Sequence, residues 1–146
     1  MTEENKKLLL KDLSARLTYN VKAYVKNWSK LDRKWYEGVY TVESIHPYLN
    51  DILVCSDRGS VEVMVGYDDY EIKPYLFPLS SMTDEQRKEY ERIIYKSIEL
   101  HCERYYNVID VADFDCLVDF YHKYHFDYRG LIPLGLANDA TGLNIY

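Results

Sequence analysis

The sequence predicts an α+β fold in a single domain over residues 1–146, with an N-terminal helix, a small antiparallel β-sheet and two C-terminal helices. Three observations support this assignment. Leucines recur every four residues near the start, apolar and polar residues alternate over about residues 20–76, and a capping signal opens a helical part over residues 83–126. A length of 146 residues fits one such domain.

Residues 3–17 form the predicted N-terminal helix. Leu9, Leu13 and Leu17 fall four apart, and Leu10 widens the apolar stripe. The basic residues of this segment, Arg16 among them, are expected mostly on the other faces. Because so short a helix is marginal by itself in water, it is expected to dock on the rest of the chain.

Residues 20–76 have the period of two that is typical of half-buried strands. The first strand surrounds Val25, and four more are predicted at 35–45, 52–55, 61–65 and 70–73. The second strand is expected to alternate without interruption, with Val39 and Ile45 on one face and Val42 on the other. A loop is predicted at 28–34, and Pro74 is expected to end the last strand. Short strands joined by tight turns favour a small antiparallel sheet or an SH3-like barrel.

The helical part begins at a capping box, Thr83-Asp84-Glu85-Gln86, in which a hydroxyl and an amide side chain each satisfy a backbone N–H. An apolar stripe follows to about Asn107. A second helix is predicted to begin at Asp110 or Asp113 and to stop before Asp127. The tail after residue 131 keeps enough apolar residues to lie on the domain.

Composition and charge exclude several classes of protein. The net charge of −6 argues against broad, charge-driven binding to nucleic acid or to a membrane surface. No apolar run approaches the ~20 residues that span a bilayer, and the N-terminus lacks the core of a signal peptide. The three cysteines lie far apart and form no CxxC pair, which disfavours a disulfide framework or a zinc knuckle. We therefore expect a soluble, cytoplasmic protein without a membrane partner.

Three segments carry a resemblance to a known family. They are Lys11-Asp12-Leu13-Ser14-Ala15-Arg16-Leu17, the run from Lys73 to Thr83 (KPYLFPLSSMT), and the run from His125 to Ile132 (HFDYRGLI). Together they resemble a family of small proteins carried by phages, prophages and mobile elements of Bacteroides-type gut bacteria. The chain departs from the family pattern at Thr18 and Asn20, around residues 28–35 and after Ala137. The resemblance implies an accessory protein of phage type in the bacterial cytoplasm, and it implies no activity.

The strongest functional signal is the presence of 16 tyrosines against 4 phenylalanines. A Tyr ring makes apolar contacts while its hydroxyl stays hydrated, so Tyr is enriched at protein interfaces. The sequence therefore favours a non-enzymatic protein that binds a host or phage protein through a Tyr-rich, acidic surface. The candidate residues are Tyr105, Tyr106, Tyr124, Asp127, Tyr128 and Arg129. A structural alternative stays open, in which Arg129 forms an ion pair that holds the tail and Gly130 supplies a turn.

A second hypothesis is that the chain is a small-barrel protein that binds nucleic acid. It depends on a local basic stretch with two interleaved aromatic residues, which together offer charge and stacking surfaces. The residues are Lys22, Lys26, Trp28, Lys30, Arg33, Lys34 and Trp35.

A third reading is a metal-dependent enzyme. His122 and His125 lie three residues apart, which places them on one face of a helix, and Asp119 or Asp127 would complete the ligand set. The alternative is that both histidines cap or cover the end of the helix. The sequence has no nucleophile elbow, phosphate-binding loop, dinucleotide motif or HExxH. No catalytic residue is therefore assigned, and no cofactor is expected.

Overall fold

The computed structural model describes residues 1–30, 33–46, 49, 51–56, 59–102 and 111–146, and for 96–102 and 111–113 it describes the backbone only. Its helices are α1 (Glu3–Ala15), α2 (Asp84–Cys102) and α3 (Val111–Lys123), with short 3₁₀ helices at Leu17–Tyr19 and Leu79–Ser81. Its strands are β1 (Lys22–Ser29), β2 (Lys34–His46), β3 (Asp51–Ser56), β4 (Gly59–Met64), β5 (Tyr70–Leu76) and β6 (Asn138–Asp139). The predicted α+β class is confirmed.

The six strands form one sheet in the order β4-β3-β2-β1-β5-β6. All pairs are antiparallel except the short β5–β6 pair, which is parallel. Strands β4 and β5 follow each other in the chain, yet within the described residues no backbone pairing joins them. The sheet is therefore open along the β4–β5 seam and is not a closed barrel.

Helix α1 covers the inner face of this sheet. Leu9, Leu10 and Leu13 pack in one cluster with the buried strand valines and isoleucines, such as Val25 and Ile52. Full burial of each such side chain contributes about 1.5–3 kcal/mol. The predicted leucine stripe therefore docks as expected. The helix ends at Ala15 rather than at residue 17, and Leu17 lies in the following 3₁₀ turn.

Strands β1, β2 and β5 are longer than the alternation predicted. The predicted loop at 28–34 is wrong at both ends, because Trp28 belongs to β1 and Lys34 begins β2. The strand end predicted at Pro74 is also wrong, since β5 continues to Leu76. In β2 the register shifts between Val42 and Ser44, so the alternation is interrupted by a bulge. The bulge brings Ile45 to the same core-packed side as Val42.

The C-terminal half follows the prediction more closely. The capping box forms, because the Thr83 N–H donates to Gln86 Oε1 (2.8 Å) and the Gln86 N–H to Thr83 Oγ1 (3.3 Å). Helix α3 begins at Val111, and the predicted helix end at Asn107 lies outside the described residues. Within the described residues, none of the helices combines the length and the apolar content that crossing a membrane requires.

The tail docks on the domain, as its apolar content predicts. Leu131, Leu136 and Ala137 form a second buried cluster with Leu76 of β5. Strand β6 extends this contact by pairing with the end of β5. The tail is therefore part of the folded body.

Candidate functional site

The segments that carry the family resemblance meet at one buried point, which we call the buried joint (Asp12, Arg16, Phe126, Tyr128 and Arg129). Asp12 and Arg16 lie one turn apart on α1, and both side chains are fully buried. Arg16 Nε donates to Asp12 Oδ2 (2.7 Å), and Arg129 Nε lies 3.1 Å from Asp12 Oδ1. One carboxylate thus forms ion pairs with two guanidinium groups from opposite ends of the chain, and the three side chains keep a net positive charge.

Arg16 also links α1 to the backbone that follows α3. Its Nη2 donates to the Phe126 carbonyl (2.8 Å), 110 residues away in the chain. The guanidinium carbons of Arg16 and Arg129 lie 5.4 Å and 4.8 Å from the ring centroid of Tyr128. Both distances allow a cation–π contact. The expectation that Arg16 lies on an outer face of its helix is therefore wrong.

The middle segment of the resemblance joins the same point through its backbone. The Phe77 N–H donates to the His125 carbonyl (2.9 Å), and the Asp127 N–H donates to the Phe77 carbonyl (2.8 Å). The Asp127 carboxylate accepts the N–H groups of Leu131 and Ile132, both at 2.8 Å. Both of its oxygens thus hold the tail, which is a structural role.

His122 and His125 do not share a helix face. Helix α3 ends at Lys123, and His125 follows in a left-handed conformation (φ 55°). His122 Nε2 lies 2.8 Å from the Tyr128 hydroxyl, whereas the His125 ring stacks on Tyr146 at 3.7 Å. Among the described residues, no group of three or more His, Cys, Asp or Glu side chains is placed to hold a metal ion.

Burial governs the protonation of both histidines. Burial first, and then the nearby Arg16 guanidinium, lower the pKa of His122 to about 4. Burial is also the main reason that the pKa of His125 is lowered to about 4, followed by Arg16 and His122. Both imidazoles are therefore neutral at pH 7. Within the described residues, His125 Nδ1 and Arg16 Nη1 have no hydrogen-bond partner.

The tyrosines predicted at the partner surface are engaged within the chain where the structure describes them. The Tyr124 hydroxyl donates to Glu89 (2.6 Å), and the Tyr128 ring stacks on Tyr121 at 5.0 Å. Tyr105 and Tyr106 lie outside the described residues. The side chains of Tyr124, Tyr128, Asp127 and Arg129 thus make contacts within the folded body and offer few free polar groups to a partner.

The basic residues of the nucleic-acid reading gather on the β1–β2 hairpin. Trp28 pairs with Trp35 across the strands, with their rings edge to face at 5.5 Å. Lys26 Nζ lies 5.0 Å from the Trp35 ring, and 45% of Trp35 is exposed. The remaining members are Lys22, whose Nζ donates to Thr41 (2.6 Å), Lys30, which lies 3.7 Å from Asp69, and Arg33 and Lys34 near the hairpin tip.

Carboxylates interrupt this basic face. Glu37 lies on β2 beside Lys26 and accepts the Tyr24 hydroxyl (2.7 Å), which with burial raises the pKa of Tyr24 to about 12. Glu71 lies opposite Lys26 on the other side and pairs with Lys73 at 2.8 Å. The described part of this face is therefore mixed in charge, and Asp69 beside Lys30 extends the mixture toward the end of the hairpin.

The structure also shows a cleft of about 320 Å³ at the open seam, which the sequence did not identify as one site. We call it the β4–β5 cleft, and its lining includes Met64, Tyr67, Asp68, Tyr70, Glu71 and Ile72. Tyr67 is 56% exposed, and the exposed Glu62 lies on the adjoining edge of β4. The cleft is at the lower end of ligand-site volumes and fits a side chain or a short stretch of backbone.

Signals for the joint and for the cleft were present in the sequence. Asp12 and Arg16 follow the leucine stripe at a spacing of four, which places them on the buried side of α1. Tyr67 and Tyr70 lie close together in the sequence. The cleft that they line forms only because the curl of the sheet brings β4 beside β5.

Comparisons of the chain with protein-family models, with curated proteins and with solved structures found no match.

Proposed function

We propose that this chain is a non-enzymatic accessory protein of phage type, which acts in the bacterial cytoplasm by binding a host or phage protein at the β4–β5 cleft. The observation that supports this most is the composition of the cleft. The exposed ring of Tyr67, the half-buried ring of Tyr70 and the carboxylates of Asp68 and Glu71 line it, beside an edge of β4 that no described strand pairs with. Aromatic side chains on a concave surface are the usual anchors of protein interfaces.

The buried joint supports the same conclusion indirectly. Its carboxylates and guanidinium groups bind one another and the backbone, so they stabilise the fold rather than receive a ligand. The Tyr-rich, acidic surface expected from the composition is therefore better placed at the cleft than at Tyr124, Asp127, Tyr128 and Arg129.

The charge of the cleft favours a basic partner. Asp68 and Glu71 line it, and Glu62 lies on its β4 side. Lys73 also lines it and pairs with Glu71, so these two charges offset each other, and Lys6 beside Gly66 pairs with Glu3; Asp68 and Glu62 are the charges that remain. Complementary charge steers association and determines specificity more than it raises affinity. A partner with lysine or arginine at the contact is therefore expected.

Site-specific photo-crosslinking in bacterial cells tests this proposal. A photoreactive phenylalanine replaces Tyr67, and the matched control replaces Tyr95, which is 63% exposed on α2. We expect a discrete protein adduct from position 67 that Asp68→Lys abolishes, and none from position 95. An adduct from position 95 alone, or no adduct from either position, contradicts the proposal.

A second candidate function is binding of single-stranded nucleic acid by the β1–β2 hairpin. The specific observation is that Lys26 Nζ lies over the ring of the exposed Trp35, whose neighbours in the chain include Arg33 and Lys34. Stacking of one base on an aromatic ring contributes about 1–3 kcal/mol.

Filter binding of an oligothymidine at low and high salt tests this candidate. We expect salt-sensitive binding that Trp35→Ala weakens at least fivefold and that the matched variant Tyr67→Ala leaves unchanged. Binding that is absent, or that does not respond to salt, excludes it.

A further inference from the structure

The backbone groups of β4 can be assigned a direction from hydrogen bonds elsewhere in the sheet. Residues of an antiparallel strand alternate in which neighbour they bond. The Val42 N–H donates to the Val21 carbonyl (3.0 Å), so Val42 faces β1 and Thr41 faces β3. Thr41 lies opposite Cys55, and Cys55 therefore faces β2.

β4 is the end strand of the sheet, and none of the described residues pairs with its outer edge. Because Cys55 faces β2, the preceding Val54 faces β4. Val61 lies opposite Val54 and therefore faces β3, and Val63 faces β3 as well. The alternate residues of β4 point their N–H and C=O groups away from β3. These residues are Ser60, Glu62 and Met64, and Met64 uses its carbonyl in a turn bond from Tyr67 (3.4 Å).

The opposite wall of the cleft is a second strand edge. The Trp28 N–H donates to the Asp69 carbonyl (2.9 Å), so odd-numbered residues of β5 face β1. Tyr70, Ile72 and Pro74 therefore face away from β1, toward the seam. Pro74 has no N–H and costs β1 no hydrogen bond there, which explains why β5 continues through it.

Charge decides between the occupants of this edge. If a second copy of the chain paired its β4 antiparallel about the centre of the strand, Glu62 would lie opposite Glu62, and like charges in that position are destabilising. A segment with lysine or arginine on its outer face would instead meet Glu62, and Asp68 lies in the adjoining cleft. Its alternate apolar residues would lie on the side of Val61 and Val63, which faces the core.

We infer that β4 binds an extended, basic segment of the protein partner as an added strand, with lysine or arginine beside Glu62. The inference rests on the proposed function and specifies its partner class. Main-chain hydrogen bonds supply affinity in this mode, and alternate side chains supply specificity.

The test uses the full chain and a synthetic peptide of alternating lysine and valine. Glu62→Pro removes the one N–H at the centre of the open edge, and since that N–H does not bond to β3, the fold is retained as it is at Pro74. The matched control Glu62→Gln keeps the N–H and removes the charge. Thermal denaturation checks that both variants fold.

We expect the peptide to bind, Glu62→Pro to weaken binding at least tenfold, and Glu62→Gln to weaken it about two- to fivefold. A peptide of alternating glutamate and valine, and a lysine-valine peptide N-methylated along one edge, should not bind the unaltered chain. Equal binding by the proline and glutamine variants overturns the inference. Equal binding by the N-methylated peptide overturns it even if the proline variant fails to fold.

The outcomes separate this inference from the proposed function. If the adduct at position 67 forms and Glu62→Pro leaves it unchanged, strand addition is wrong and the cleft proposal stands. If neither the adduct nor peptide binding is found, both are wrong. A dimer in light scattering that Glu62→Pro dissociates identifies a second copy as the occupant and overturns the inference.

Discussion

At the scale of residues, the fold depends on two charged side chains that the core encloses. Asp12 and Arg16 are fully buried, and Asp12 also forms an ion pair with Arg129. Charges removed from water are tolerated only where they are paired and hydrogen-bonded. The same carboxylate therefore holds α1 against the segment between α3 and the tail.

We expect Asp12→Ala to lower the free energy of unfolding by about 3–5 kcal/mol, because it leaves two guanidinium groups without their counter-ion. The matched control is Glu3→Ala, whose exposed pair with Lys6 at 3.9 Å should cost no more than about 1 kcal/mol. Urea denaturation measures both variants. Equal losses of stability in the two would show that the buried joint is not needed for the fold.

The buried histidines predict a dependence of stability on pH. Their folded pKa of about 4 lies below the ordinary value of 6.5, so protonation favours the unfolded chain. Their contribution to stability is present above pH 6.5 and is lost as the pH falls from 6.5 toward 4. Each imidazole accounts for roughly 2–3 kcal/mol. Urea denaturation from pH 7.5 to 4.5 should show a smaller loss for His122→Gln than for the unaltered chain, and an identical loss would contradict this origin.

At the scale of elements, capping determines where α2 begins. The reciprocal bonds between Thr83 and Gln86 satisfy two N–H groups at its first turn. Thr83→Ala should therefore cost about 1 kcal/mol in urea denaturation, whereas Ser80→Ala, in the preceding turn, should cost much less. Equal costs would mean that packing, rather than the cap, fixes this end.

Local patterns predicted the elements well and their limits less well. The leucine stripe, the alternation around Val25 and the capping box each depend on neighbours in the chain, and each gave the right element. The bulge near Val42 and the continuation of β5 through Pro74 depend on which strand lies alongside, which one sequence does not state. The basic residues between 22 and 35 are neighbours in the chain, and the structure places those it describes on one hairpin. The β4–β5 cleft depends on the curl of the whole sheet, so the sequence did not predict it.

At the scale of the whole molecule, hydrogen bonds join the two ends of the chain to each other. In the described part of the sheet, no backbone pairing joins β4 to β5. Arg16 near the start binds the Phe126 carbonyl, and the Tyr146 hydroxyl binds the backbone of Lys22 and Tyr75. These contacts hold α1 to the segment after α3, and the end of the tail to β1 and β5. The outer edge of β4 stays unpaired within the described residues, whereas the contacts above stabilise the rest of the fold.

Backbone amide NMR of the full chain, titrated with the lysine-valine peptide, tests whether β4 binds an extended basic segment as an added strand. If the peptide adds a strand to β4, chemical-shift changes concentrate at residues 60–64 and 67–72, and the amide protons of Ser60 and Glu62 become protected from exchange. Changes confined to the β1–β2 hairpin, or to the surface around Tyr124 and Tyr128, would contradict it.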